Sequence, residues 1–504
     1  MFKPLKLSRI IPVTQPLPPC WMEKKEFFIQ KDLYKSNIFC IGRDGLFRNA
    51  LISAVDEAKE VVLAASFLFT DEKLSEAFVN AYERGVRVYV LSASETSLKN
   101  LGGDVEDFSA RMAEEHAKFM DRIAGKALLR SAAHFHAKFL LVDPDYDFPK
   151  GYISTANFNK ALTDSVELGI ELSQQQTNEL ASWFSYVFWK ESEHELLERG
   201  RLSRVKEPPA EPVEPLNEKI QVTTRNNKSL RTTIQSILEA AEKEIIISSF
   251  GIEKENLITE LLVRKAKEGV AVTILTRPRP AVSEAVKLLE SAGACVIAHE
   301  KLHAKALVTE KSAMIFTANI QAHGLDTGFE TGVILSEDQR ISLREILVSW
   351  KDIFPWHFAN SASPKDHLGK ISLADSSLKE GVLEVIKDFP VILGDIIADS
   401  VLSFDKTADP EFKAPHIKNF PQQITYTWTV KPPTLPLGAV EKFENYSKEI
   451  TDDKGSIKIV TEKRPFIPPV FEHKGKAYVV VEKESDIEKA TLLSEKFKAK
   501  VVVK

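Results

Sequence analysis

The chain repeats itself, and that repeat constrains its fold more than any other feature. Asn49–Ser92 reads as an amphipathic helix, a buried strand Val61–Phe69, a second helix, then Gly85 and the strand Val86–Leu91. Ser229–Thr276 follows the same order, with strand Ile245–Phe250, a helix through Leu261, then Gly269 and the strand Val270–Leu275. "ERGVRVYVLS" and "KEGVAVTILT" are near copies. In each, the glycine can end a helix in the left-handed conformation and turn the chain into a parallel strand. One structural unit is used twice.

The correspondence continues downstream. "HFHAKFLLVD" (His134–Asp143) matches "EKLHAKALVTE" (Glu300–Glu310), and "SWFSYVFWK" (Ser182–Lys190) matches "SWKDIFPWH" (Ser349–His357). His136 and His303 are separated by the same 167 residues as Trp183 and Trp350, so the copies are in register across their cores. The tryptophan pairs Trp183/Trp189 and Trp350/Trp356 read as core anchors of equivalent helices. The copies differ between Leu91 and His136, where a helical insertion around 105–124 has no counterpart in the second copy. "KEPPAEPVEP" (Lys206–Pro215) reads as a semi-rigid linker.

Alternating helices and apolar strands predict an α/β fold with two pseudo-symmetric halves, each a mixed β-sheet flanked by helices. The expected organisation is an N-terminal extension over 1–40, a first half over 41–200, a proline-rich linker over 201–226 and a second half over 227–358. A β-rich α+β accessory domain is expected over 365–504, with strands at Gln423–Val430, Ser456–Val460, Ala477–Val481 and Lys500–Val503. A helix opened by the capping box Ser485–Glu488 is expected before the last strand.

Of 504 residues, 43% are apolar and 28% charged, the balance of a globular protein with ample core. A formal net charge of −5 gives no global attraction to nucleic acid or anionic lipid, so binding to either needs a local basic patch. Three cysteines (Cys20, Cys40, Cys295) are too few and scattered for a disulfide framework or a zinc site. No apolar run approaches the roughly 18 residues of a bilayer span. Residues 1–12 lack a signal-peptide core, so no stable membrane insertion and a cytoplasmic location are expected.

The polar residues inside the repeat carry the chemistry. His136 and Lys138 stand two apart on an apolar strand and face the same way, as do Thr155 and Asn157 on the next, with Glu167 ten residues beyond Asn157. The second half repeats the set as His303, Lys305, Thr317, Asn319 and Glu330. Singly, a histidine on an apolar strand is usually a satisfied core residue and a lysine a solvated one. Recurrence of the whole set at matching places weakens that reading, because buried charge is costly and neither half has an obvious stability reason to repeat it. Asp143 and Glu310 lie seven residues from their histidines; that odd spacing turns them to the opposite face, a structural position.

"HAKFLLVD" has the form His-x-Lys-x₄-Asp, and "HAKALVTE" has it with Glu310 in the last place, each followed by a "TAN" segment and a later Glu. This resembles the duplicated signature of the phospholipase D superfamily over roughly residues 40–357. Ser154 and Phe316 stand where that family often has glycine. The resemblance implies a phosphodiesterase that needs neither cofactor nor metal, since Lys138 and Lys305 neutralise the phosphate oxygens while Asn157, Asn319, Thr155 and Thr317 donate hydrogen bonds. One imidazole, assigned as His136, attacks phosphorus to form a phosphohistidine; the other, His303, protonates the leaving oxygen. Glu167 and Glu330 hold the imidazole tautomers.

Within that family the expected substrate is nucleic acid. Basic residues expected to bind it are Lys126 and Arg130 before the first motif, and Arg277 and Arg279 at the carboxyl end of a strand, where α/β sheets place ligands. The resemblance also implies action within a bacterial defence or repair complex, with the C-terminal domain open to a protein partner. A phospholipase or phosphatidyltransferase is the second reading, weakened by the lack of a membrane-spanning run. A catalytically silent nucleic-acid-binding scaffold is the third, weakened by the completeness of both motifs.

Overall fold

The computed structural model describes residues 19–24, 30–94, 110–206, 212–361 and 370–376, together with the backbone of several strands towards the two ends. The chain forms two compact units, one comprising Trp21–Asn360 and Ala374–Glu380, the other Met1–Cys20, Ser361–Leu373 and Gly381–Lys504.

The larger unit holds both copies of the repeat, and eight strands of each fall in the same spatial order. In the first copy neighbouring strands run 192–198, 128–132, 87–93, 61–66, 139–142, 150–154, 167–171 and 38–41. In the second they run 356–359, 295–298, 271–276, 244–248, 306–309, 313–316, 330–334 and 220–223. The 61–66 and 87–93 strands pair in parallel, as do 244–248 and 271–276, and the strands carrying the motifs join antiparallel beside them. The sheets are mixed, with helices against them, as expected.

The parallel crossovers work because each returning helix ends at glycine. Glu72–Glu83 is followed by Gly85 at φ +90°, and Leu257–Lys267 by Gly269 at φ +91°, a backbone state that any β-carbon strains. The helices Gln174–Tyr186 and Glu337–Ile353 each open with a full capping box, Ser173 with Gln176 and Ser336 with Gln339. Their apolar faces bury Trp183 and Trp350 in one continuous core containing Phe139, Leu302 and Phe329, so the halves share a hydrophobic interior. Truncating a tryptophan in such a core costs about 3–5 kcal/mol.

Four sequence expectations are corrected. The second copy has the helix it was expected to lack: Ser283–Ser291, entered through a 3₁₀ turn at Pro280–Val282, precedes strand Cys295–Ala298 just as Ala110–Ile123 precedes Leu128–Ala132. The prolines at 278 and 280 mask its start, while its apolar face (Ala285, Val286, Leu289) is only nine residues long. Trp189 is 41% exposed in a single π-helical turn, and Trp356 begins the strand Trp356–Ala359, so neither anchors a helix core. Ile220–Thr223, within the expected linker, is a fully buried strand paired with Glu330–Ile334. Likewise Ile38–Ile41 straddles the end of the expected N-terminal extension and pairs with Glu167–Glu171.

In the smaller unit, Leu5–Pro12 pairs antiparallel with Gln423–Val430, and Asn445–Thr451 with Ser456–Pro465. Val470–His473, Lys476–Val481 and Ala499–Val503 form a three-stranded sheet whose last pair is parallel. The helix expected at Ser485–Glu488 lies outside the described residues.

Candidate active site

The two motifs meet through backbone. Phe135 pairs with Phe329 and Val166 with Leu302, short bridges that cross between the halves. The amides of His136 and Ala137 both donate to the Phe329 carbonyl, at 3.1 and 2.8 Å, and those of His303 and Ala304 to the Val166 carbonyl, at 3.0 and 3.1 Å. Each histidine is therefore held next to the residue that precedes the other half's glutamate. His136–Lys138 and His303–Lys305 lie in the extended lead-ins to strands Phe139–Val142 and Ala306–Thr309, one step before the strands on which they were expected. Thr155 and Asn157, with Thr317 and Asn319, lie just past the ends of Lys150–Ser154 and Ala313–Phe316.

That arrangement crosses the carboxylates over. His136 Nδ1 is 2.7 Å from Glu330 Oε1, and His303 Nδ1 is 2.6 Å from Glu167 Oε1. Each glutamate is buried, and its second oxygen accepts from a threonine of its own half: Thr155 Oγ1 donates to Glu167 at 2.6 Å and Thr317 Oγ1 to Glu330 at 2.5 Å. An ionised carboxylate only accepts, so Nδ1 carries the hydrogen and Nε2 keeps its lone pair. The same threonine hydroxyls accept from Leu168 and Thr331 amides, which fixes their rotors.

Lys138 and Lys305 are fully buried. Lys138 Nζ donates to the His136 carbonyl; Lys305 Nζ donates to the His303 carbonyl at 2.6 Å and sits 3.0 Å from both ring nitrogens of His303. Asn319 Oδ1 accepts from the Gly251 amide at 3.3 Å, whereas the buried Asn157 Oδ1 has no hydrogen-bond partner in the protein. Both histidines, Asn157 and Glu167 line one cavity of about 400 Å³. Lys138 and Lys305 are outside the lining of that cavity; their charge lies next to the two imidazoles that line it, an arrangement suited to an anion.

Burial pushes both imidazoles below their ordinary pKa, His303 down to about 3; the partner glutamates oppose the shift and the lysines add to it. Burial works against ionisation of Glu167 and Glu330, but the imidazoles, lysines and threonine hydroxyls outweigh it and hold both carboxyls below the usual range. Between about pH 3 and the unfolded-histidine value of about 6.5, the unfolded chain binds a proton at position 303 that the folded chain does not. Stability contributed at His303 is thus present above about pH 6.5 and is lost as pH falls towards 3, with His136 acting in the same direction. Urea midpoints are expected to fall between pH 7 and pH 4, and less steeply in His303→Gln. Equal slopes in the two proteins would refute this.

The remaining expected site residues separate into two groups. The Asp143 carboxylate accepts from the amides of Lys59, Glu60 and Val61 at 2.8–2.9 Å, and Glu310 from those of Glu242 and Glu244. Both pin a helix-to-strand turn away from the cavity. Arg277 lines the cavity. Arg279 is buried with its guanidinium 4.0 Å from the Phe250 ring centroid. Arg130 does not reach the cavity: it is buried, bonded to the Phe188 carbonyl and Glu195, and stacked over Trp189. Lys126 sits in the turn between Ala110–Ile123 and Leu128–Ala132, and it too is outside the cavity lining.

Sequence reasoning missed two residues of the wall. Phe67 packs edge-on to His136 at 5.4 Å between centroids, and Phe250 to His303 at 5.0 Å. They follow equivalent serines in "SFLF" and "SFGI", so the repeat held the signal. It also missed Lys301, which lines the cavity and pairs with Asp164.

The sequence profile of the family described as "Cardiolipin synthase, PLD-like domain" matches residues 51–190 and 234–347. No curated protein sequence matches the chain. Among solved structures, phosphatidylserine synthase from Haemophilus influenzae Rd KW20 is similar at 12% identity and TM-score 0.46, over 68% of this chain and 90% of that one. Polyphosphate kinase from Porphyromonas gingivalis is similar at 13% identity and TM-score 0.44, over 64% of this chain; the chain spans 50% of that enzyme's length. Nuc, a phospholipase D family member from Salmonella typhimurium, is similar at 21% identity and TM-score 0.23, over 32% of this chain and 93% of that one.

Proposed function

The chain belongs to the phospholipase D superfamily, and from that premise we propose that it is a metal-independent phosphodiesterase that cleaves nucleic acid through a phosphohistidine. The crossed pairs His136–Glu330 and His303–Glu167, closing on one cavity, carry the reading. A diester anion enters the cavity between the two imidazoles, drawn by the charge of Lys138 and Lys305 beside them. His136 Nε2 attacks phosphorus, the P–N bond forms and the P–O bond to the leaving group breaks in line. Burial lowers the His303 pKa, and the negative charge of a bound diester raises it, so that the ring can hold the proton it passes to the departing oxygen. Water then attacks, His303 removes its proton, and the P–N bond breaks. Asn157, with an unpartnered buried oxygen and an amide group, is placed to hydrogen-bond the phosphate or the water.

Arg277 and Lys301 in the cavity wall support a polyanionic substrate. Among the described residues no helix is long and apolar enough to cross a membrane, and we assign the activity to the cytoplasm. The apolar wall of Phe67, Leu68 and Met112 favours a second reading, transfer or hydrolysis of a phospholipid headgroup. End-labelled single- and double-stranded DNA and RNA in EDTA, beside phosphatidylglycerol vesicles, separate the two. Oligonucleotide cleavage that survives EDTA and vanishes in His136→Ala is expected; turnover of vesicles alone would replace the nuclease reading with the lipid one.

A further inference from the structure

The two halves are not equivalent at the mouth of the site, and the difference is one of charge. Gly85 and Gly269 align the strands that follow them, which sets Ala93 and Ser94 opposite Arg277 and Pro278. Ala93 is buried in an apolar cluster with Phe67 and Leu68, against which Met112 packs. This is the wall beside His136. On the His303 side, Gly251 stands where Leu68 does, and Arg277 fills the wall with its guanidinium carbon 5.4 Å from the Phe250 centroid. Phe250 in turn lies 5.0 Å from the His303 ring, so a single aromatic ring separates the cation from the reacting imidazole. Lys301 and Lys160 add positive charge to the cavity lining, where Asp164 takes up one of the two by pairing with both.

We propose that Arg277 forms a second anion subsite that receives the phosphate next to the scissile one on the leaving-group side, beside His303. The inference rests on the nuclease reading for its substrate, but the subsite itself needs only diester chemistry to be measured. A guanidinium matches a phosphate with two parallel N–H donors, and half-burial over an aromatic ring keeps the fork in place. The apolar wall takes the uncharged part of the group that remains on His136.

Hydrolysis of bis(p-nitrophenyl) phosphate, which carries no second phosphate, serves as the reporter. Thymidine 3′,5′-bisphosphate and thymidine 5′-monophosphate are compared as competing inhibitors. The wild-type protein is expected to bind the bisphosphate roughly 10- to 100-fold more tightly, on the strength of a charge-assisted pair. Arg277→Gln is expected to erase that advantage, read as the ratio of the two inhibition constants, and Arg277→Lys to restore part of it. Equal inhibition by the two nucleotides in the wild type, or an advantage that persists in Arg277→Gln, overturns the subsite. Oligonucleotide cleavage reports separately on the nuclease reading, because the inhibition experiment runs on the reporter whatever the natural substrate is.

Discussion

The His136→Ala protein is expected to lose roughly 10⁴- to 10⁶-fold in kcat, the scale seen when a nucleophile is removed from a histidine-based site, with its circular dichroism unchanged. The partner substitution, His303→Ala, is expected to behave differently with one choice of substrate. p-Nitrophenolate leaves without a proton, so the first step survives loss of the acid, whereas hydrolysis of the intermediate still needs a base. Bis(p-nitrophenyl) phosphate should then give a burst of about one equivalent of p-nitrophenol and an accumulated, acid-labile phosphoramidate. Mass spectrometry of the quenched protein is expected to place it on His136. An adduct on His303 in His136→Ala would exchange the two roles, and full turnover with no adduct on either would remove the covalent mechanism.

Glu330→Gln is expected to lower kcat by roughly 10²- to 10⁴-fold, since the amide preserves the shape of the contact but not the charge that stabilises an imidazolium. Its decisive readout is spectroscopic. The low-field Nδ1–H proton resonance of His136 should move in Glu330→Gln and stay in place in Glu167→Gln, with the opposite pattern for His303. Kinetically, Glu330→Gln placed on His136→Ala should cost little beyond the single change, because residues that act as a unit are not additive. If Glu167→Gln moved the His136 resonance instead, each carboxylate would belong to its own half and the crossed geometry would be wrong.

How much of this could be read from the chain beforehand depended on the range of the forces involved. The motif residues were legible because spacing of two along an extended backbone and a constant offset between copies are local facts. The pairing of glutamate with the opposite histidine was not, since it follows from the docking of Phe135 on Phe329 and Val166 on Leu302, contacts between residues far apart in sequence. Helix Ser283–Ser291 was hidden by its prolines, and Ile220–Thr223 by its position at the end of a proline-rich stretch; both are held by burial more than by local propensity. Arg130 and Arg277 look alike as isolated cations. Only the fold distinguishes them, by placing one outside the cavity over Trp189 and the other in the cavity wall.

The crossed bridges have a consequence for how such a site can change over time. Two separate copies of one half, paired about a two-fold axis, could build the same pair of imidazoles, but that axis would copy every substitution to both rims. An arginine at one rim would appear at the other as well. Covalent fusion removes the constraint while the backbone bridges keep the reacting groups in matched positions. Ala93 and Arg277, descended from one position of the repeat, are free to differ. Joining the halves thus turns a two-fold symmetric catalytic centre into one with a front and a back.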